Sequence, residues 1–312
     1  MRFVRTIKGD IDPSKLGITY SHEHLYSKPP YWVSGKDEDL VVDDTAKIVN
    51  EIKMFIDAGG NSIIEGTAID YGRDVLKLKE IADNVDINIV CTTGFNKGLY
   101  YEKWVHEMPM EEMVELMIKE VMEGYKDTGI KCGQIKIGTS YNTITPTEEK
   151  VIRAAAKAQN YTKAPMYAHT EIGTMALEQI EILRQEGIDL THVAFGHMDR
   201  NPDMWYYLKI AETGAYLIFD GLGKVKYYPE SVRINSIIEL CKKGYQKKIM
   251  ISGDMARKSY YIEYGGGPGL TFILTKWVPR FIEEANSQGL NGKEIIEDLL
   301  INNPREFFSF RV

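Results

Sequence analysis

Cysteine is scarce in this chain of 312 residues: Cys91, Cys132 and Cys241 are scattered, with no CxxC pair. That excludes a disulfide framework and fits reduced thiols. No apolar run approaches the length of a membrane span, and the opening Met1-Arg-Phe-Val-Arg-Thr-Ile-Lys-Gly-Asp has no apolar stretch of the signal-peptide kind. Positive charge is also short, with a net charge of −7, so a broad nucleic-acid surface is not expected. An anionic substrate would need a local basic pocket against the overall field. No Pro- or Ser-rich linker and no internal repeat interrupts the chain. The remaining expectation is a cytoplasmic globular protein, one domain over 1–312, with neither a nucleic-acid nor a membrane partner.

What is present begins at Ser21-His22-Glu23-His24-Leu25, which closes a short apolar run from Leu16. Side chains alternate along a strand, so histidines at i and i+2 share a face and converge as metal ligands must. Further apolar runs rich in β-branched residues follow at 61–67, 87–93, 133–138, 164–169, 192–197, 215–220 and 248–254. Helical patterns lie between them. One opens at Asp44 and stops at Gly59-Gly60, and another covers Met110 to Tyr125. A third begins at the capping box Thr145-Pro-Thr-Glu148 and continues through Ala158. Others surround Leu177 to Leu183 and cover 232–243, 269–285 and 293–301. Eight strands alternating with helices predict an α/β fold, a (β/α)8 TIM barrel with a short hairpin-like N-terminal extension. An open doubly wound sheet is disfavoured, because no Gly-rich nucleotide turn follows the first strand.

In such a barrel, functional groups sit where strands end. His22 and His24 close the first strand, Lys136 lies within the fourth, His169 ends the fifth, His197 the sixth and Asp254 the eighth. Each has a plainer explanation. His169 or His197 alone reads as a hydrogen-bonded core histidine, Asp254 as a helix cap, and Lys136 as a side chain that snorkels from the wall. Together they occupy equivalent positions, and a metal site demands them together.

These residues carry a resemblance to the phosphotriesterase family of the amidohydrolase superfamily over nearly the whole chain. It rests on Arg5-Thr-Ile-Lys-Gly-Asp, His22-Glu-His-Leu, Gly72-Arg-Asp, Gln134-Ile-Lys-Ile-Gly, Ala168-His-Thr-Glu, Gly196-His-Met-Asp-Arg, Ser252-Gly-Asp and Asn303-Pro-Arg-Glu-Phe-Phe. The resemblance implies two divalent metals, Zn²⁺ first, with Mn²⁺ or Co²⁺ as alternatives. His22, His24 and Asp254 would hold one and His169 and His197 the other, bridged by N6-carboxylated Lys136. A hydroxide shared by the metals would attack the substrate. Asp254 would take its proton and deliver it to the leaving oxygen.

The loops after strands seven and eight carry Lys224, Lys226, Arg257 and Lys258 among glycines. From charge alone they read equally as a phosphate site or a solvated basic loop. Lys226, Arg257 and Tyr260 resemble the phosphate-binding pattern of the branch that hydrolyses phosphorylated sugar lactones. That likeness implies opening of a phosphorylated sugar 1,4-lactone to a phospho-aldonic acid. The alternatives are a phosphotriesterase or arylesterase, and a lactonase for unphosphorylated lactones. One departure stands out. Where lactonases often place tyrosine after the third strand, Thr93-Gly-Phe-Asn96 offers Asn96 as a lactone-binding group. Arg200 reads as a partner in an ion pair near the mouth, and His106 and His192 as structural. The family likeness further implies a homodimer.

Overall fold

Short strands that are apolar on both faces need helices outside and a filled interior, and the computed structural model, which describes residues 2–311, has both. An antiparallel hairpin, β1 (Arg2–Thr6) and β2 (Gly9–Ile11), comes first. The parallel strands follow as β3 (Thr19–Glu23), β4 (Ser62–Glu65), β5 (Asn88–Val90), β6 (Thr92–Gly94), β7 (Gln134–Thr139), β8 (Met166–Thr170), β9 (Val193–Phe195), β10 (Tyr216–Phe219) and β11 (Ile249–Ile251). β5 and β6 form one barrel strand interrupted at Cys91, whose carbonyl still accepts from Gly133 N at 2.9 Å. The ladders run β3-β4-β5 and β6-β7-β8-β9-β10-β11. At the remaining seam, Asp254 N donates to His22 O at 3.1 Å, and the Ser252 hydroxyl accepts from His22 N at 3.0 Å. The fold is a (β/α)8 barrel. A final strand, β12 (Phe310–Arg311), pairs antiparallel with β1.

Two apolar layers result. Inside, Ile64, Val90, Tyr167, Ile218 and Met250 pack with Leu16 and Phe307. Phe307 meets Tyr216, the first residue of β10, with ring centres 5.0 Å apart, so this plug closes the N-terminal end of the barrel. Outside, helices such as Thr45–Asp57 and Pro146–Thr162 cover the strands through Ile48, Ile52, Phe55, Val151 and Ile152.

The pairing of β3 with β4 shifts register between Tyr20 and Glu23. Tyr20 packs outward on Phe55 (ring centres 4.4 Å apart), whereas His22 stacks inward on Tyr167 (4.1 Å, 2°). In a regular strand those two residues would share a face. The bulge therefore turns the histidine pair into the barrel.

The helix starts follow the expected chemistry. Thr145 Oγ1 accepts from Glu148 N at 3.2 Å, and Glu148 Oε2 accepts from Thr145 N at 2.7 Å, completing the capping box. This helix extends past the expected Ala158 to Thr162. Two helices missing from the sequence pattern, Val75–Asp83 and Met204–Ala211, are each capped by an aspartate, Asp74 and Asp203. An aspartate before a short apolar run was the signal for both. The expected helices at 269–285 and 293–301 each contain a widened π turn, Ile273–Trp277 and Asp298–Asn302. Each widened turn lies just before a proline, Pro279 or Pro304, whose missing N–H breaks the regular i to i−4 ladder.

The last strands are shorter than their apolar runs. β9 stops at Phe195 and β11 at Ile251. His197 (φ 59°) and Asp254 (φ 45°) lie beyond them in left-handed backbone, which turns both side chains from the strand direction. Among the described residues, no helix is long and apolar enough to cross a membrane.

His192, at the entrance to β9, is buried against Phe307, and its Nε2 lies 3.1 Å from Ser309 O. Burial, aided by Arg311, pushes its pKa down to about 4. The unfolded chain binds a proton near the ordinary value of 6.5, so below that pH protons favour unfolding, down to about pH 4. This histidine is expected to remove roughly 2–3 kcal/mol of stability across that window. His192→Asn should flatten the difference between urea unfolding at pH 4.5 and at pH 7, and an equal slope in both proteins would refute the assignment.

Candidate metal centre

At the C-terminal ends of the strands lies a cavity of about 420 Å³, lined by His22, His24, Lys136, His169, His197 and Asp254. All six expected metal-site residues thus meet there. His22 Nε2 and His24 Nε2 lie 3.5 and 3.4 Å from Asp254 Oδ1, and one ligand atom from each of the three lies within 4.8 Å of the others. The two halves adjoin, because the His22 and His197 ring centres are 5.6 Å apart.

The surroundings determine which ring nitrogens carry protons. The Thr67 hydroxyl donates to Glu65 Oε1, so at 2.8 Å it accepts from His24 Nδ1, leaving the His24 Nε2 lone pair aimed at Asp254. His197 Nδ1 donates to Asp220 Oδ1 at 2.7 Å, and His169 Nε2 donates to Glu171 Oε2 at 2.8 Å. Their remaining nitrogens, His197 Nε2 and His169 Nδ1, then face each other at 2.8 Å as two lone pairs. A cation between them resolves that contact. Both ring nitrogens of His22 are buried without a hydrogen-bond partner. These unsatisfied donors fit a metal. Burial holds His22 and His197 well below the ordinary histidine range and His169 at about 4, so all three are the neutral imidazoles that metals require.

His22, His197 and Asp220 also fall within 4.8 Å. Asp220, however, is already engaged: Oδ1 by the His197 ring and Oδ2 by the Tyr167 hydroxyl at 3.1 Å. Its geometry is that of an orienting carboxylate.

Lys136 is buried in β7, and its Nζ donates to Gly66 O at 2.7 Å. Burial lowers its pKa to about 8, against the pull of Asp254, Asp70 and Glu65. Gly66 itself cannot carry a side chain, since a Cβ there would stand 2.3 Å from His22 Cε1.

Asp254 is more crowded than its strand-end position suggested. Lys224 Nζ and Arg200 Nη2 both donate to Oδ2, at 2.6 and 2.7 Å. Burial alone would raise its pKa, but Lys224, His22 and His24 hold it well below the carboxylate range. Lys224, first grouped with the basic loop, is therefore a buried counter-ion of Asp254. Arg200 does form an ion pair, but with Asp254 at the base of the cavity and not near the mouth.

Asn96, Arg257 and Tyr260 also line the cavity. Asn96 Oδ1 is buried without a partner. Arg257 forms ion pairs with Asp37 at 2.7 Å and Asp39 at 3.3 Å. Lys226 is exposed beside the mouth, its ammonium 5.3 Å from the Tyr260 ring centre. Lys258 does not line the cavity, and neither do His106 and His192. Glu171, Asp220, Thr67 and Asp37 escaped the sequence reading. Three of them had a signal, Thr67 and Asp220 as the last residues of their apolar runs and Glu171 as the end of Ala168-His-Thr-Glu, whereas Asp37 had none.

The profile of the Phosphotriesterase family matches residues 2–308. The chain belongs to the phosphotriesterase family. It is accordingly a metal-dependent hydrolase of the amidohydrolase superfamily. It is 38% identical to a protein of Mycoplasmopsis synoviae named phospho-furanose lactonase, covering 99% of this chain and 92% of that one. The crystal structure of a lactonase from Listeria monocytogenes superposes with a TM-score of 0.96 at 46% identity, covering 99% of this chain and all of the other. The phosphotriesterase homology protein of Escherichia coli, solved with phosphate in its active site, superposes with a TM-score of 0.88 at 34% identity, covering 96% of this chain and 100% of that one.

Asp220→Ala is expected to weaken divalent-metal affinity about 10- to 100-fold, because His197 loses the partner that orients it. Chelator competition measures this, and unchanged affinity would show that the carboxylate does not act through the histidine.

Proposed function

We propose that this chain opens a phosphorylated sugar 1,4-lactone to the phospho-aldonic acid. The observation that carries this reading is one cavity with metal-competent groups at its base and Arg257 and Tyr260 on its wall. A lactone with a terminal phosphate has its ester and its anion at opposite ends, matching that division. The phospho-furanose lactonase of M. synoviae and the phosphate in the E. coli active site support the same substrate class.

His22, His24 and Asp254 would hold one divalent cation and His169 and His197 a second, Zn²⁺ foremost, with Lys136 carboxylated between them. Bound there, the cations lower the pKa of water and polarise the ester carbonyl. Lys136, with a pKa near 8, supplies a free amine that adds CO₂ and releases one proton, replacing a cation with an anionic ligand. Lys224 and Arg200 engage Oδ2 and keep Asp254 ionised, while Oδ1 faces the site that His22 and His24 would share with it. Water oxygen bonds to the lactone carbonyl carbon, and the Asp254 carboxylate takes the proton. The ring C–O bond breaks, and the same proton passes to the departing oxygen. Asn96 meets the lactone end, and Arg257, Tyr260 and Lys226 meet the phosphate.

Three measurements test this. The metal-loaded protein should turn over a five-carbon 1,4-lactone 5-phosphate at least about 100-fold faster, in kcat/KM, than the plain lactone or an aryl phosphotriester, as expected of two charge-assisted contacts. Arg257→Ala should raise KM for the phosphorylated lactone about 10-fold or more and spare the plain one. Equal losses on both, or faster triester hydrolysis, would refute the phosphate role. Lys136→Ala should lose bound metal in elemental analysis and roughly a thousand-fold in turnover. Full metal content in that variant would exclude a bridging carbamate.

A further inference from the structure

Arg257 is not a free cation. Two carboxylates from the segment after β3 meet its guanidinium, Asp37 Oδ2 at Nη2 (2.7 Å) and Asp39 Oδ2 at Nη1 (3.3 Å). A phosphate dianion approaching this guanidinium would meet two negative charges already in contact with it. The two carboxylates occupy N–H groups at Nη2 and Nη1 and set their charge against the dianion, so a phosphate contact gains when one of them leaves.

The two aspartates are held very differently. Asp39 also accepts from Ser259 N at 2.8 Å and from the Ser259 hydroxyl at 2.6 Å. It thereby fixes the turn Lys258–Tyr260, whose preceding residue is Arg257 and which ends in Tyr260. Releasing Asp39 would leave a backbone N–H without its partner and loosen both cavity-wall residues. Among the described residues, the Asp37 carboxylate meets Arg257 alone, and although it precedes the short 3-10 helix Glu38–Leu40, it makes no cap bond there. It also lines the cavity, whereas Asp39 does not. Its release costs one partly exposed ion pair and nothing else.

We propose that Asp37 is an exchangeable counter-ion and a specificity-determining residue. It neutralises Arg257 in the substrate-free enzyme and yields to the phosphate of the substrate, while Asp39 stays and positions the guanidinium. This rests on the reading that Arg257 takes the phosphate. A plain lactone carries no charge to displace Asp37, so it meets an already neutralised Arg257. The net gain from a phosphate is the Arg257–phosphate contact less the Arg257–Asp37 pair.

The test is calorimetric, on the metal-loaded full chain, with a five-carbon aldonic acid and its 5-phosphate as paired ligands. The ratio of their dissociation constants isolates the phosphate contribution. Asp37→Asn should raise the preference for the phosphorylated ligand about two- to five-fold, the strength of a partly exposed ion pair. Asp37→Ala should do the same, and Asp39→Asn should lower it. A wild-type preference that Asp37→Asn and Asp37→Ala leave unchanged or reduce would overturn the exchange while retaining the phosphate site. A wild-type ratio of one would remove the phosphate site, and the exchange with it.

Discussion

The carboxylate of Glu23, placed between the two histidines of β3, is the constraint on which the site depends. It points away from them and grips the loop beyond β11. Oε1 accepts from Gly253 N at 2.6 Å and lies 2.7 Å from the Ser252 hydroxyl, and Oε2 accepts from Met255 N at 2.8 Å. Asp254 lies between those two amides. One buried side chain therefore closes the barrel seam and fixes Asp254 opposite His22 and His24. Burial raises the Glu23 pKa to about 7 even with these donors. The carboxylate is costly to bury, and its three donors are what hold it there.

The same logic of compensated burial extends through the cavity. Lys136, Asp254, Lys224, Asp220 and the histidines are all removed from water. Apart from His22, whose ring nitrogens have no hydrogen-bond partner, each is stable there because a neighbour supplies the complementary charge or hydrogen bond. Asp254 has two cations at one oxygen, His169 leans on Glu171, and Glu171 pairs in turn with Lys97. The carboxylates select the histidine tautomers, and the tautomers aim the lone pairs. Metal competence is thus a property of the network more than of the ligands.

The wall of the cavity follows a different rule. Near the mouth the pairs are partly exposed, worth little individually, and open to exchange with a ligand. Arg257 belongs to this outer class and Asp254 to the inner one. Such a gradient, rigid at the base and exchangeable at the rim, would suit the phosphorylated substrate proposed above, because the reacting groups stay still while the rim admits its charge.

Much of this was legible from residue order. Alternation along a strand put His22 and His24 on one face, apolar runs of barrel spacing put Lys136, His169, His197 and Asp254 at one end, and the Thr145–Glu148 box placed a helix start where it occurs. The motifs carried the family. Other features arise only from contacts between residues far apart in the chain, because they depend on how the barrel closes. The bulge that sends Tyr20 outward and His22 inward comes from pairing with β4, and local alternation cannot reveal it. Lys224 reads as a loop cation until the fold lays it on Asp254, thirty residues away. Asp37 reads as solvated charge until the segment after β3 reaches across to Arg257. Sequence by itself determined which chemical groups stand at the strand ends, since that needs only periodicity. Tertiary structure decided which of them can serve as ligands and which are counter-ions or braces, since a buried charge takes its role from whatever neighbour the closed barrel supplies.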